Sequence, residues 1–141
     1  MSFRETRAWV TLIALIAVLL LFWLHIPPNR MLRPEPNMWV LHVLLLTTST
    51  FVLVEIIAHV IMRLRSPRDA KRPKDERERL IELKSIAIAF YAYAILSIFG
   101  IFITLHMHAN AIGIGFVVLT AFVLAEIVNY AMRIYYYRRG F

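Results

Sequence analysis

The chain contains no cysteine. That removes disulfide frameworks, thiolate metal sites, iron–sulfur ligation and cysteine nucleophiles. It is also short of charge: 18% of its residues are Asp, Glu, Lys or Arg, where a soluble domain carries about 25%. No Walker loop, G-x-S-x-G, H-E-x-x-H or dinucleotide fingerprint occurs. What fills the space is apolar. Hydrophobic residues make up 60% of the chain, against about 45–50% for an ordinary soluble domain. Composition thus excludes a soluble globular enzyme first and a disordered chain second.

The apolar residues form four blocks, at about 8–24, 39–62, 85–105 and 112–135. A membrane-spanning helix needs about 20 mostly apolar residues. Backbone in hydrocarbon must satisfy its own hydrogen bonds, so the blocks read as helices despite their β-branched content. The expected fold is all-α: an integral membrane four-helix bundle of two transmembrane hairpins, one transmembrane domain over 1–141. The first block follows Arg4 and Arg7 as a secretory signal would, but its exit reads Trp23-Leu24-His25-Ile26-Pro27-Pro28. That stretch lacks the small-residue cleavage pattern, so a retained anchor is expected.

Orientation follows from Lys and Arg in the connections. The connection between the first two blocks holds Arg30 and Arg33, and the one between the last two holds none. The central connection, 63–84, is densely basic, and Arg4, Arg7, Arg133, Arg138 and Arg139 flank the outer ends of the chain. Both termini and the central loop are therefore expected in the cytoplasm. Tyr135, Tyr136 and Tyr137 then lie at the inner interface and Trp39 at the outer one.

The central loop changes character along its length. Its first part carries Arg63, Arg65, Arg68, Lys71, Arg72 and Lys74 against Asp69 alone, with breaks at Ser66-Pro67 and Arg72-Pro73. This run is expected to contact anionic lipid headgroups or a protein partner. A nucleic-acid reading of the net charge of +7 is set aside, because orientation bias accounts for most of that charge and no nucleic-acid motif accompanies it. Further on, Asp75 and Glu78 have capping-box spacing, so the third helix is expected to start near Asp75, before the membrane.

Phe51-Val52-Leu53-Val54-Glu55-Ile56-Ile57 in the second block recurs as Phe122-Val123-Leu124-Ala125-Glu126-Ile127-Val128 in the fourth. Apolar matches between membrane helices are cheap, but a matched Glu is not. The echo suggests a duplicated hairpin, hence a parallel internal repeat, or a coincidence within a narrow alphabet.

Glu55 and Glu126 each lie about 10 Å inside the basic boundary at 1.5 Å rise per residue. An ionisable group at a bilayer centre costs at least ~2.5–3.5 kcal/mol, and somewhat less off-centre. Each Glu must therefore face the bundle and be paired or protonated. Thr48, Glu55 and His59 share one helical stripe. Glu126, Asn129, Tyr130, Arg133 and Tyr137 share another. One reading is a proton- or cation-handling carboxylate pair. The other, ranked first, is a pair of structural clamps bonded to His59, Arg133, Tyr130 or Lys84, since buried polar groups in membranes more often hold helices together.

His25, His106 and His108 sit at the outer mouths of the first and third helices, with His42 one turn inside the second. They form a weak candidate set for a metal or haem, together with Met31, Met38 and Met107. No ligand signature supports it, and no cofactor is expected. In the third helix Tyr93, Ser97, Gly100, Thr104 and His108 make a small, polar face suited to packing, a cavity or an oligomer seam. Thr47-Thr48-Ser49-Thr50 is a hydroxyl belt whose members can bond to their own helix carbonyls.

Asp75-Glu76-Arg77-Glu78-Arg79-Leu80-Ile81-Glu82-Leu83-Lys84 precedes a tyrosine-containing helix, and Leu124-Ala125-Glu126-Ile127-Val128-Asn129-Tyr130 precedes Tyr135-Tyr136-Tyr137-Arg138-Arg139-Gly140. This second half resembles a family of small uncharacterised bacterial inner-membrane proteins. The resemblance implies a bacterial inner-membrane protein with a helical hairpin unit and no particular activity. Members of such families can accompany small transcriptional regulators, which implies a membrane partner role.

The leading expectation is a non-catalytic membrane protein, structural, accessory or regulatory, acting through helix packing and the basic loop, alone or as a homodimer. The second is a small proton- or cation-coupled transporter or channel using Glu55 and Glu126. The third is a metal- or haem-binding redox subunit using the histidines.

Overall fold

The computed structural model describes residues 3–25, 38–65, 73 and 75–139, with backbone alone at 3, 25, 40, 47, 62, 63 and 65. Four α-helices account for almost all of them: α1 (Phe3–His25), α2 (Met38–Arg65), α3 (Glu76–His106) and α4 (Ala111–Arg139). No strand occurs among the described residues. All four helices are long and apolar enough to cross a membrane. At 31 residues, α3 is about 46 Å long, against a hydrocarbon core of about 30 Å. Its first turns therefore project beyond the apolar block that begins near Ser85.

The start of α3 is the capping box that its sequence spells. Asp75 is extended, with φ −70° and ψ 155°. Its Oδ1 accepts from the Glu76 N–H at 2.8 Å, and the Asp75 N–H donates to Glu78 Oε2 at 2.9 Å. These bonds satisfy amides that a helix start otherwise leaves open.

A short turn joins α3 to α4. The Ala109 N–H donates to the Thr104 carbonyl and the His108 N–H to the Leu105 carbonyl. This is a Schellman stop, with His108 at the left-handed position glycine usually takes (φ 55°). Asn110 then caps α4, its Oδ1 accepting from the Gly113 N–H at 3.0 Å.

The helices pack in the order α2–α1–α4–α3. The α3–α4 interface is the largest, α1–α4 and α1–α2 follow, and α2 barely meets α4. Small residues build the α3–α4 seam. Ser85, Ala89, Ser97 and Thr104 are buried on α3, and Gly113, Ala121 and Ala125 on α4. Most of the hydroxyls are satisfied within their own helix: Ser85 donates to the Ile81 carbonyl and Thr104 to Gly100. A Cβ built on Gly100 would collide with Cγ1 of Val117. The small face that spacing alone left between three readings thus packs against α4 within the chain. Close approach of this kind replaces the hydrophobic drive that helices lack in lipid.

Two clusters join α1 to α4. Phe22 stacks on Phe116 with centroids 4.5 Å apart, a pairing that contributes about 0.5–1.5 kcal/mol beyond its area. At the other end Ala8, Leu12 and Ile134 pack with Trp9, Ile127 and Tyr130. The first residues of α1 lie against the last of α4, so both described ends of the chain sit at one end of the bundle. Ion pairs tie that end together: Arg4 with Glu78, Arg133 with Glu82 at 3.5 Å, and Arg138 with Glu5 at 3.5 Å. Arg138 also lies 5.3 Å above the Trp9 ring. Partly exposed pairs of this kind add about 0–1 kcal/mol each. By contrast α2 is peripheral, with no fully buried side chain among its described residues.

Candidate functional site

Because α2 barely meets α4, a gap remains where α1, α2 and α4 come together. It is a half-open cleft of about 330 Å³. Its walls are largely apolar: Leu15, Val18, Leu19 and Phe22 from α1, Phe51 and Val52 from α2, Leu119, Phe122 and Val123 from α4. Its polar groups are Thr11, Thr48, Thr120, Tyr130 and two carboxylates, Glu55 and Glu126. The echoed Glu residues of the second and fourth helices thus line one cavity.

The surroundings of Glu55 come from two helices. Thr11 Oγ1 of α1 donates to Glu55 Oε2 at 3.2 Å. His59, one turn along α2, places Nδ1 2.7 Å from the Glu55 carbonyl oxygen and 3.1 Å from Oε2. Both of those oxygens are acceptors, which assigns a proton to Nδ1. Glu55 Oε1 and His59 Nε2 are buried with no hydrogen-bond partner among the described residues. Glu55 also borders a second groove, of about 340 Å³, together with Arg7, Ile56, His59 and Val60. One carboxylate therefore stands between the cleft and a groove at the end that holds the termini.

Glu126 is held differently. Its Oε2 accepts from Asn129 Nδ2 at 3.2 Å, and Asn129 Oδ1 accepts from Arg133 Nε at 3.1 Å. Arg133 reaches Glu82 on α3 and lies 5.1 Å above the Tyr130 ring. A polar chain thus runs from the cleft through α4 to the start of α3. Of the four partners expected for the two Glu residues, His59 contacts one directly, and Arg133 reaches the other through Asn129. The two copies of the echo share the cavity but not their partners.

Among the described residues the other candidates do not converge. His42 Nδ1 bonds to the Met38 carbonyl at 2.7 Å on α2. His108 Nδ1 lies 3.0 Å from the His106 carbonyl in the α3–α4 turn. The side chain of His25 and all of Met31 lie outside the described residues. Among those described, no group of three or more His, Cys, Asp or Glu is placed to hold a metal ion. In the basic loop, Arg68, Lys71, Arg72 and Lys74 lie outside the described residues, as do the side chains of Arg63 and Arg65. In the hydroxyl belt, Thr50 donates to the Leu46 carbonyl at 2.8 Å, while Thr48 lines the cleft.

Residue patterns missed Thr11, Arg7 and Glu82. A lone Thr in an apolar block carries no helical signature. The usable signal was depth: Thr11 lies seven residues from Arg4, much as Glu126 lies seven from Arg133.

Residues 4–141 match the model of a family described as "Predicted membrane protein (DUF2178)". No curated protein and no solved structure matches the chain. The match takes in both hairpins, where the resemblance read from motifs covered only the second. With nearly every residue matched and four membrane-length helices in place, the chain belongs to the DUF2178 family of membrane proteins.

Proposed function

We propose that this protein is a small, non-catalytic, proton- or cation-coupled transporter or channel of a bacterial inner membrane, with Glu55 and Glu126 as its working carboxylates. Both termini and the basic loop 63–84 lie in the cytoplasm, as the distribution of Lys and Arg favours. One observation carries the reading: Glu55 and Glu126 line a single half-open cleft. Ionisable groups in a span that face a cavity mark ion and proton pathways. Glu55 adds a second element, because it borders both the cleft and the groove with Arg7 and His59. A proton or cation arriving through that groove meets Glu55 before the cleft. This reverses the order that composition and spacing favoured, in which packing clamps came first.

The test is flux in proteoliposomes loaded with a pH-sensitive dye. The wild type should support a cation-driven proton flux. Glu55→Gln and Glu126→Gln should each bring it to the level of empty vesicles while the protein remains folded. Flux that persists in the double variant overturns the reading, and so does its absence from the wild type.

A second reading keeps support from the chain Glu126–Asn129–Arg133–Glu82, which ties α4 to α3 as a clamp does. On that reading the protein is an accessory or regulatory component whose basic loop meets anionic headgroups or a protein partner. Pull-down with the 63–84 segment would recover a specific partner.

A further inference from the structure

From the cleft's lining and its open side we infer that it takes an amphipathic monovalent cation, with an apolar or aromatic body and an ammonium-type head, entering from the bilayer. The inference rests on the reading of Glu55 and Glu126 as a binding pair and names what they bind.

The mouth faces sideways. Among the lining residues, Val52 on α2 and Phe122 on α4 are 48% and 51% exposed, and both lie in the apolar stretch of their helices. The gap between α2 and α4 is therefore the opening, and in a membrane it opens onto lipid. A strongly hydrated inorganic ion does not take that route, whereas a cation with an apolar body partitions into the interface first.

The interior matches such a solute in size and chemistry. The cleft runs along α1 from Thr11 to Phe22, about 16 Å at 1.5 Å per residue. A volume of about 330 Å³ falls in the range of small-molecule sites, roughly 300–1,000 Å³. Its acidic groups, Glu55 and Glu126, lie toward the end that holds the termini, and among the described residues no Lys, Arg or His lines it. Among the described residues Glu55 Oε1 has no hydrogen-bond partner, so one oxygen of that carboxylate keeps its acceptor capacity unspent. The rings of Phe22, Phe51, Phe122 and Tyr130 line the same space. Aromatic faces attract quaternary ammonium groups, and Tyr130 already carries the Arg133 guanidinium on its ring. A lipid acyl chain would fill the apolar part but would offer the two carboxylates nothing to bond with from within the cleft.

The experiment compares two probes of the same shape on the purified full chain in detergent. Benzyltrimethylammonium carries a fixed positive charge, and neopentylbenzene is its neutral carbon isostere. Saturable binding is expected for the cation, with affinity at least about tenfold above the isostere. Glu55→Gln and Glu126→Gln should each weaken the cation by about tenfold and leave the isostere unchanged. Val123→Trp fills the cleft without altering charge and should abolish binding of both, which keeps the test alive if a Glu variant fails to fold. Equal affinity for the two probes overturns the inference and marks an apolar slot for lipid. Cation binding that survives both Glu substitutions, or Val123→Trp, also overturns it. Carboxylate-dependent proton flux without probe binding overturns this inference and leaves the transport reading standing. Probe binding without flux sustains the cation site and overturns transport.

Discussion

The Thr11 hydroxyl on α1 donates to the Glu55 carboxylate on α2 at 3.2 Å, a polar tie between the two helices. The tie does more than hold helices. It fixes Oε2, while Oε1 is buried without a partner among the described residues. Thr11→Val keeps the shape and removes the donor. We expect it to lower stability by about 0.6–2 kcal/mol, the range from interhelical bonds in membranes to bonds with charged groups. Thr11→Ser should restore most of the loss. A double-mutant cycle with Glu55→Gln, read by unfolding in mixed micelles, checks the coupling, and additive losses would count against it.

Gly100 and Val117 set how closely α3 and α4 approach. Val117 is β-branched and held to one rotamer in a helix, so it cannot swing clear of an added methyl at position 100. Gly100→Ala should destabilise the hairpin by about 1–3 kcal/mol, the usual cost of overpacking. Val117→Ala should recover most of it in the double variant. No recovery would place the cause elsewhere.

His108 adopts φ 55° at the stop of α3. A side chain there costs about 1–2 kcal/mol relative to the right-handed region, partly offset by the ring nitrogen near the His106 carbonyl. His108→Gly should therefore be neutral or stabilising, and His108→Val clearly destabilising. Thermal unfolding in detergent distinguishes them. A drop in stability for the glycine variant would assign the imidazole a role of its own.

Asp75 opens α3 through a capping box. Asp75→Ala should cost about 1 kcal/mol and fray the first turn. Glu78, which pairs with Arg4 of α1, lies in that turn. Faster amide exchange confined to residues 76–82 is the expected signature, and exchange spread evenly along α3 would contradict it.

The absence of cysteine makes topology directly measurable, because any introduced thiol is the sole one. A cysteine at Pro73 should react with an impermeant maleimide only in opened cells, and one at Ala109 in intact cells. Reversal of the two patterns would invert the orientation.

Residue order alone settles much of this molecule. Four blocks too apolar for water and too long for a soluble core, with backbone bonds that hydrocarbon cannot satisfy, leave a helix as the only form for each. The Asp75–Glu78 spacing marks one helix start, and the echo singles out Glu55 and Glu126. Which helices are neighbours was not legible there. In water an amphipathic stripe reveals the buried face of a helix. In lipid both faces are largely apolar, and although Ser97, Gly100 and Thr104 mark a packing side of α3, nothing in that stripe says which helix covers it. Steric fit decides instead: Gly100 against Val117, Phe22 against Phe116, and small side chains along the α3–α4 seam. That fit makes α4 the hub, leaves α2 on the rim, and opens between them the cleft that brings two carboxylates 71 positions apart into one space.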